Sequence, residues 1–319
     1  MTTATYDPES QSFILNTPEV QAAKWWIGDL GIFCTHACVF AQLIIKGKNH
    51  GVHAFVVPIR DHNHKPFPGL EVGDVGPKLG FNTKDNGYLI MKNYRIPRRM
   101  MLMKYHKVSP DGTYSVSGSE KISYATMLFI RSAIPYLAFA KTSKAIVIMT
   151  RYSLFRKQFK DNVGKEIPIL DYQLQQEKIF PRIAEVFANL FSFKTIYEIA
   201  QSVIADANRN VFDRLQEAHI ITSSVKAIST KDGLKGIEIL RRAGGGHGYS
   251  YYSGIPGLQT ELMPTFTFEG IFQLMQDSIP FCSCRSQDTC SSASTAPCAA
   301  NPYQRAWPTS TDSAKHSSP

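Results

Sequence analysis

Apolar residues in the first third of the chain fall in short runs of β-branched and aromatic side chains. Phe13-Ile14-Leu15, then His36 to Ile45, then Val52 to Ile59 have the length and make-up of strands. Turn-forming clusters punctuate them: Asn16-Thr17-Pro18, Gly47-Lys48-Asn49, Lys65-Pro66-Phe67-Pro68-Gly69, Asp85-Asn86-Gly87 and Asp111-Gly112. This spacing predicts a β domain over residues 1–118, an antiparallel barrel or sandwich. From about Ser119 the period changes to that of helices. Ile183, Phe187, Leu190 and Phe191 recur at i, i+4, i+7 and i+8, and Ile196, Ile199 and Val203 follow at i, i+3 and i+7. Ser223 to Arg242 reads as a further amphipathic helix, weakened by Gly233 and Gly236. Pro135, the one breaker between Tyr124 and Leu154, is expected to cap or kink a helix. A helical bundle over 119–275 is the result, and the class is α+β and multidomain.

Beyond Gly270 the texture changes once more. Ile271 to Met275 suits a last helical turn, and from Pro280 the chain is Ser, Thr, Cys, Ala and Pro with few large apolar residues. Such a segment buries too little surface to offset its ordering entropy, so a disordered tail is expected over 276–319. No internal repeat is visible.

Composition narrows the class without naming a function. With 319 residues, 43% hydrophobic and 19% charged, the chain is neither fibrous nor wholly disordered. The most apolar stretch, Thr126 to Met149, is interrupted by Arg131, Lys141 and Lys144, so no membrane span is expected. The start, MTTATYDPESQSF, has no apolar signal region, and an intracellular-type chain is expected. A net charge of +9 attracts phosphates of any kind. The basic residues are scattered, however, and no nucleic-acid-binding signature accompanies them. Of the six cysteines, Cys282, Cys284, Cys290 and Cys298 form C-x-C-x5-C-x7-C, which lacks the paired knuckles of zinc sites. His50/His53 and His62/His64 sit among turn residues and read as loop histidines. No metal site is expected.

Four segments carry candidate chemistry. In Arg241 to Ser250 a glycine run, Gly244-Gly245-Gly246-His247-Gly248, lets backbone N–H groups approach an anion; a helix C-cap and turn would use the same residues. In Thr265 to Gly270, phenylalanines flank Glu269, and a partly desolvated carboxylate is a usable general base. A surface Glu at a helix end is the plain alternative. Trp25-Trp26, followed by Gly28, offers flat rings that back a flat cofactor or pack a core. Arg156 lies in a basic, aromatic stretch, a planar fork suited to a pyrophosphate or one charge on a solvated helical face. There is no G-x-S-x-G elbow, and no Rossmann or Walker loop follows a strand, so hydrolase and kinase readings fall away.

In order along the chain stand TTATYDP, FILNTP, KWWIG, GVHAFVVPIR, PGLEVGDVGPKLG, DNGYL, IPRRMMLMKY, ILDYQ, GGHGYS, SGIPGL and TFEG. This series resembles the flavin-dependent peroxisomal acyl-CoA oxidases from about Thr2 to Gly270. The resemblance implies a β domain followed by a helical bundle of the acyl-CoA dehydrogenase/oxidase type. It implies FAD as cofactor, a fatty acyl-CoA and O2 as substrates, and trans-2-enoyl-CoA and hydrogen peroxide as products. Glu269 falls at the position of the base that takes the α-proton. Gly28, after Trp25 and Trp26, falls at a flavin-contacting position. Arg156, Gly245, Gly246, His247 and Gly248 fall in segments that meet the adenine and pyrophosphate of a partner subunit's FAD, so a homodimer is implied.

Departures from the family pattern carry expectations of their own. Matched to the family, the chain lacks the helical domain that precedes the β domain and the second helical domain that follows the bundle. Gly244 stands where the oxidases usually have cysteine, and Ile271-Phe272-Gln273 departs from the family's continuation after Glu269-Gly270. Family membership points to peroxisomes; the ending Ser317-Ser318-Pro319 is not the family's import signal, which leaves a cytoplasmic location open. Two alternatives follow: a catalytically inactive fragment that only binds, and a related acyl-CoA dehydrogenase that passes electrons to another flavoprotein.

Overall fold

The structure is a computed structural model that describes residues 1–117 and 121–270. Ten strands occupy the first part: β1 (Thr3–Asp7), β2 (Ser12–Asn16), β3 (Lys24–Gly28), β4 (His36–Ile45), β5 (Lys48–Pro58), β6 (Leu70–Asp74), β7 (Asn86–Met91), β8 (Tyr94–Pro97), β9 (His106–Val108) and β10 (Tyr114–Val116). A five-stranded sheet has the order β5-β4-β1-β2-β8, and a three-stranded sheet the order β3-β7-β6. Alternation of buried with more accessible residues along β4 and β7 gives each sheet one apolar face. The two faces share one core, in which Phe13, Leu15, Val39 and Phe55 from the first sheet meet Leu89 and Met91 from the second.

Two features of this part differ from the barrel-or-sandwich expectation. Among the described residues no barrel closes, and the larger sheet is not purely antiparallel. β1 pairs with β4 in parallel, Ala4 opposite Leu43, while it pairs with β2 as an antiparallel hairpin. The reason is insertion: β1 runs between β2 and β4, and the connection through β3 brings the chain back to enter β4 in the same direction. His50 and His53 also lie in strand β5 rather than in a loop. His53 is buried, and its Nε2 lies 3.0 Å from the Tyr114 hydroxyl.

The second part is helical: α1 (Lys121–Phe155), α2 (Gln173–Asn208), α3 (Leu215–Ala243), the single turn α4 (Gly245–Tyr249) and α5 (Ile255–Thr267). Ala138, Ala145, Met149, Ile179, Ile237 and Leu262 bring α1, α2, α3 and α5 around one core. Pro135 lies within α1 and does not end it, and Pro181 is likewise inside α2. Gly233 and Gly236 are packing positions of α3 rather than weak points. A Cβ on Gly233 would lie 3.1 Å from Leu262 and 3.3 Å from Ala138, so glycine lets α1 and α5 approach α3 closely.

Two further expectations need correction. A short hairpin, β11 (Lys157–Lys160) and β12 (Glu166–Pro168), separates α1 from α2, so Arg156 sits at a helix-to-strand junction and not on a helical face. On α2, Ile196 and Val203 are buried as the period requires, yet Phe187 and Phe191 face outward while Val186 packs inward. The tail and its four cysteines, and the turn expected at Ile271 to Met275, lie outside the described residues.

Candidate functional site

The C-terminal end of α5 presents Glu269 on an unusual backbone. The Phe268 N–H donates to the Pro264 carbonyl at 3.0 Å, and the chain then turns with Glu269 at φ 57° and Gly270 at φ 111°. A left-handed residue after a helix is commonly Gly or Asn; a glutamate there costs roughly 1–2 kcal/mol and persists only where its surroundings hold it. Here two cations from other helices hold it. Arg131 of α1 donates from Nε to the Glu269 carbonyl at 3.1 Å. Lys226 of α3 donates from Nζ to the Gly270 carbonyl at 2.7 Å and reaches the Phe266 carbonyl at 3.4 Å.

Arg131 is itself fixed by Ser223 Oγ and His219 Nδ1, both 3.1 Å from its Nη1. A guanidinium only donates, so His219 Nδ1 accepts and the ring is neutral with its proton on Nε2. Burial, with Arg131 adding to it, pushes the His219 pKa down. Lys226 is 0% exposed. Burial chiefly, and then the Arg131 charge, lowers its pKa to about 8, while the Glu269 carboxylate opposes the shift. Glu269 itself is half-buried.

Trp25, Trp26 and Gly28 lie on β3 at the edge of the small sheet. The two tryptophans are 53% and 60% exposed, which excludes the core-packing alternative for them. Trp25 stacks on Tyr88 with ring centroids 5.2 Å apart, and Trp26 adopts φ 70° where the pairing with β7 slips. Beside Gly28, Lys84 pairs with Asp29 at 2.7 Å. The next turn is caged from both sides. Arg60 donates to the carbonyls of Leu30, Gly31 and Cys34, and the Asp85 carboxylate accepts from the N–H groups of Ile32 and Phe33. That cage holds Ile32 and Phe33 outward, continuing the exposed apolar surface of the tryptophans.

Arg156 and His247 come together in a third place. Tyr152, Arg156, Lys157, Glu166 and His247 line a cavity of about 580 Å³. The Tyr152 hydroxyl lies 3.3 Å from His247 Nδ1, and Arg156 donates to Gln158 at 3.3 Å. Gly245 needs its positive φ of 56°, whereas Gly248 is glycine because its Cβ would run into the Arg241 backbone. The glycine run is thus a helix end and a tight helical turn, with open space only around Gly245 and Gly246. Within one chain, the bonds and ring contacts of Trp25 to Gly28 go to β7 and its loop, the Arg156 side chain bonds to Gln158, and His247 meets Tyr152. Among the described residues no group of three His, Cys, Asp or Glu side chains is arranged to hold a metal, and no helix is long and apolar enough to cross a membrane.

Three residues at the Glu269 turn escape a reading of motifs alone. Arg131 shows only as an interruption of an apolar stretch. Lys226 does leave a trace: Ala218, Thr222, Ser223, Lys226, Ser229, Thr230 and Gly233 form the buried stripe of α3, and a lysine in such a stripe needs a partner. His219 leaves none.

Residues 124–279 match the family model for the acyl-CoA oxidase C-alpha1 domain. Over 271 residues the chain is 49% identical to peroxisomal acyl-coenzyme A oxidase 1 of Phascolarctos cinereus, covering 84% of this chain and 41% of that protein. It is 48% identical, with the same coverage, to the Homo sapiens protein of that name. The chain belongs to the acyl-CoA oxidase family. Among solved structures it is similar to Arabidopsis thaliana acyl-CoA oxidase 1, with TM-score 0.86, 37% identity and coverage of 92% of this chain and 46% of that one. It is also similar to Caenorhabditis elegans acyl-CoA oxidase-1 complexed with FAD and ATP, with TM-score 0.84, 38% identity and coverage of 90% and 43%. The chain spans about two fifths of the length of the curated relatives it matches.

Proposed function

We propose that this chain carries the proton-abstracting and flavin-contacting part of an acyl-CoA oxidase. In the proposed reaction a fatty acyl-CoA loses its α-proton and its β-hydride to give trans-2-enoyl-CoA, and the electron pair reaches O2 to give hydrogen peroxide. The observation that carries the reading is Glu269, held on a left-handed turn by two buried cations, in a chain nearly half identical to peroxisomal acyl-CoA oxidases.

The residues present suit FAD. Trp25, Trp26 and Gly28 offer an exposed planar surface for a flat ring system. Arg156, Lys157, His247 and Tyr152 offer cationic and aromatic groups around a cavity, the donor set a pyrophosphate and an adenine would meet, beside the open Gly245-Gly246 backbone. The chemistry that bound FAD would supply is acceptance of the β-hydride and transfer of the electron pair to O2. Glu269 takes the α-proton on its carboxylate, and its backbone N–H stabilises the developing charge on the thioester oxygen. The resemblance to the oxidases, in which the segments of Arg156 and of Gly245 to Gly248 meet a partner subunit's FAD, favours a homodimer with each FAD between two copies. The switch from strands to helices after Val116 supports a boundary near 118 between a β domain and a helical domain. The names of the relatives favour a peroxisomal location.

The competing reading, a fragment that binds without turning over, draws on the same exposed tryptophans, which then await a covering partner. One experiment decides: incubate the purified, folded chain with excess FAD, desalt, and record the visible spectrum. A retained flavin band that bleaches with acyl-CoA and releases peroxide supports the oxidase, and Glu269→Gln should then cost ~10²–10⁴ in rate. A folded chain that keeps no flavin overturns it.

A further inference from the structure

We propose that Lys226 is a positioning residue for Glu269: its ammonium, donated from α3 to the carbonyls on either side of the glutamate, sets the left-handed turn that aims the carboxylate. The proposal rests on the reading of Glu269 as the base. Three features of the structure carry it.

The first is burial without an acidic partner. Lys226 has no solvent exposure, and among the described residues no carboxylate lies within ion-pair distance of its Nζ. Taking a cation out of water is expensive, and an unbranched apolar side chain would pack the same stripe without that cost. A lysine there is explained by what its Nζ touches. The second is where the bonds land. The Phe266 and Gly270 carbonyls bracket Glu269, at the end of α5 where helix carbonyls lack intrahelical partners and the dipole favours a positive charge. The third is convergence. Arg131 takes the carbonyl of Glu269 itself, so donors from α1 and α3 grip three carbonyls within five residues. Removing the Lys226 grip leaves Glu269 with a strained φ and one anchor, free to relax toward ordinary φ and swing its carboxylate away.

The groups that face the Lys226 ammonium are Arg131 from α1, which repels it, and the Glu269 carboxylate beyond α5, which attracts it. That attraction can be read from the lysine side. In the full chain labelled with [6-¹³C]lysine, with Lys24→Arg removing the other lysine whose pKa burial lowers, the Lys226 resonance is expected to titrate near 8. In Glu269→Gln it should titrate lower, by about half a pH unit or more, since the favourable charge is gone. In Lys226→Met, hydrogen exchange in the peptide over residues 264–270 should rise at least about tenfold while the peptides of β4 and β5 keep their protection. An unchanged titration in Glu269→Gln, or exchange that rises evenly through the chain, overturns the proposal. The titration uses chains that keep Lys226, so it stands even if Lys226→Met does not fold. Neither readout needs flavin or substrate, so a chain without turnover would sink the oxidase reading and leave the coupling measurable. Where the flavin-loaded chain does turn over, Lys226→Met should lower kcat by about 10²-fold with little change in KM, the mark of a misaimed base.

Discussion

Gly248 and Gly246 stand two residues apart in one helical turn and are glycine for different reasons. A Cβ on Gly248 would meet the Arg241 carbonyl and backbone, which no side-chain adjustment relieves, whereas a Cβ on Gly246 meets nothing within 4 Å. Gly248→Ala should therefore destabilise the chain by ~1–3 kcal/mol through overpacking, seen as a lower urea midpoint. Gly246→Ala should leave it unchanged or raise it by up to about 1 kcal/mol, since alanine favours the helix. If Gly246→Ala keeps stability but loses retained FAD, the open backbone there serves the ligand. At this scale the sequence was informative about kinds of side chain and poor about partners. Glu269, Trp25 and Arg156 stand out because their neighbours are unusual in type. His219 and Arg131 do not, because the bond between them spans 88 residues and no local pattern encodes it.

Among elements, α1 and α3 meet through that bond, and its protonation state gives it a pH dependence. Burial and Arg131 lower the His219 pKa from its ordinary 6.5, so the folded chain favours the neutral ring more than the unfolded chain does. As pH falls below about 6.5 the unfolded histidine takes up a proton that the folded one resists, and stability is lost down to the folded pKa. Above about 6.5 both states are neutral and the contribution is constant. The fall in Tm between pH 7 and pH 5 should thus be smaller in His219→Gln, whose side-chain oxygen can still accept from Arg131, than in the unmodified chain. An equal fall would mean that His219 is not held neutral. The elements themselves were largely legible: runs of β-branched and aromatic residues mark β4 and β5, and the amphipathic period from Ser223 to Arg242 marks most of α3. What such runs cannot encode is strand order, so they do not show the parallel β1–β4 pair. Period likewise cannot tell which of Val186 and Phe187 turns inward, since both sit near the same stripe and only the packed neighbours decide.

At the scale of the whole molecule, the strand part and the helical part meet where the loop between β6 and β7 reaches α5. Gly80 abuts the backbone of Thr260 so closely that a Cβ would overlap the Thr260 carbonyl. The carbonyl belongs to a helix whose neighbours Leu262 and Thr265 are buried, so the loop must be the side that yields. Gly80→Ala should push that loop off α5, costing ~1–3 kcal/mol and weakening the coupling that makes the two parts unfold together. The calorimetric transition should broaden or split, and hydrogen exchange should rise in the peptides around 77–83 and 256–262 while the β4–β5 hairpin keeps its protection. Gly257→Ala is the control, on the same helix but with open space at its Cβ, and should leave the transition single. The same displacement bears on the proposed chemistry, because α5 ends in the turn that holds Glu269 and the loop lies in the connection that leads to Lys84 and Asp85 beside Gly28. Loss of FAD retention in Gly80→Ala, with the spectrum kept in Gly257→Ala, would mean that the close approach at Gly80 sets the spacing between base and flavin surface. Retention in both would confine the contact at Gly80 to stability.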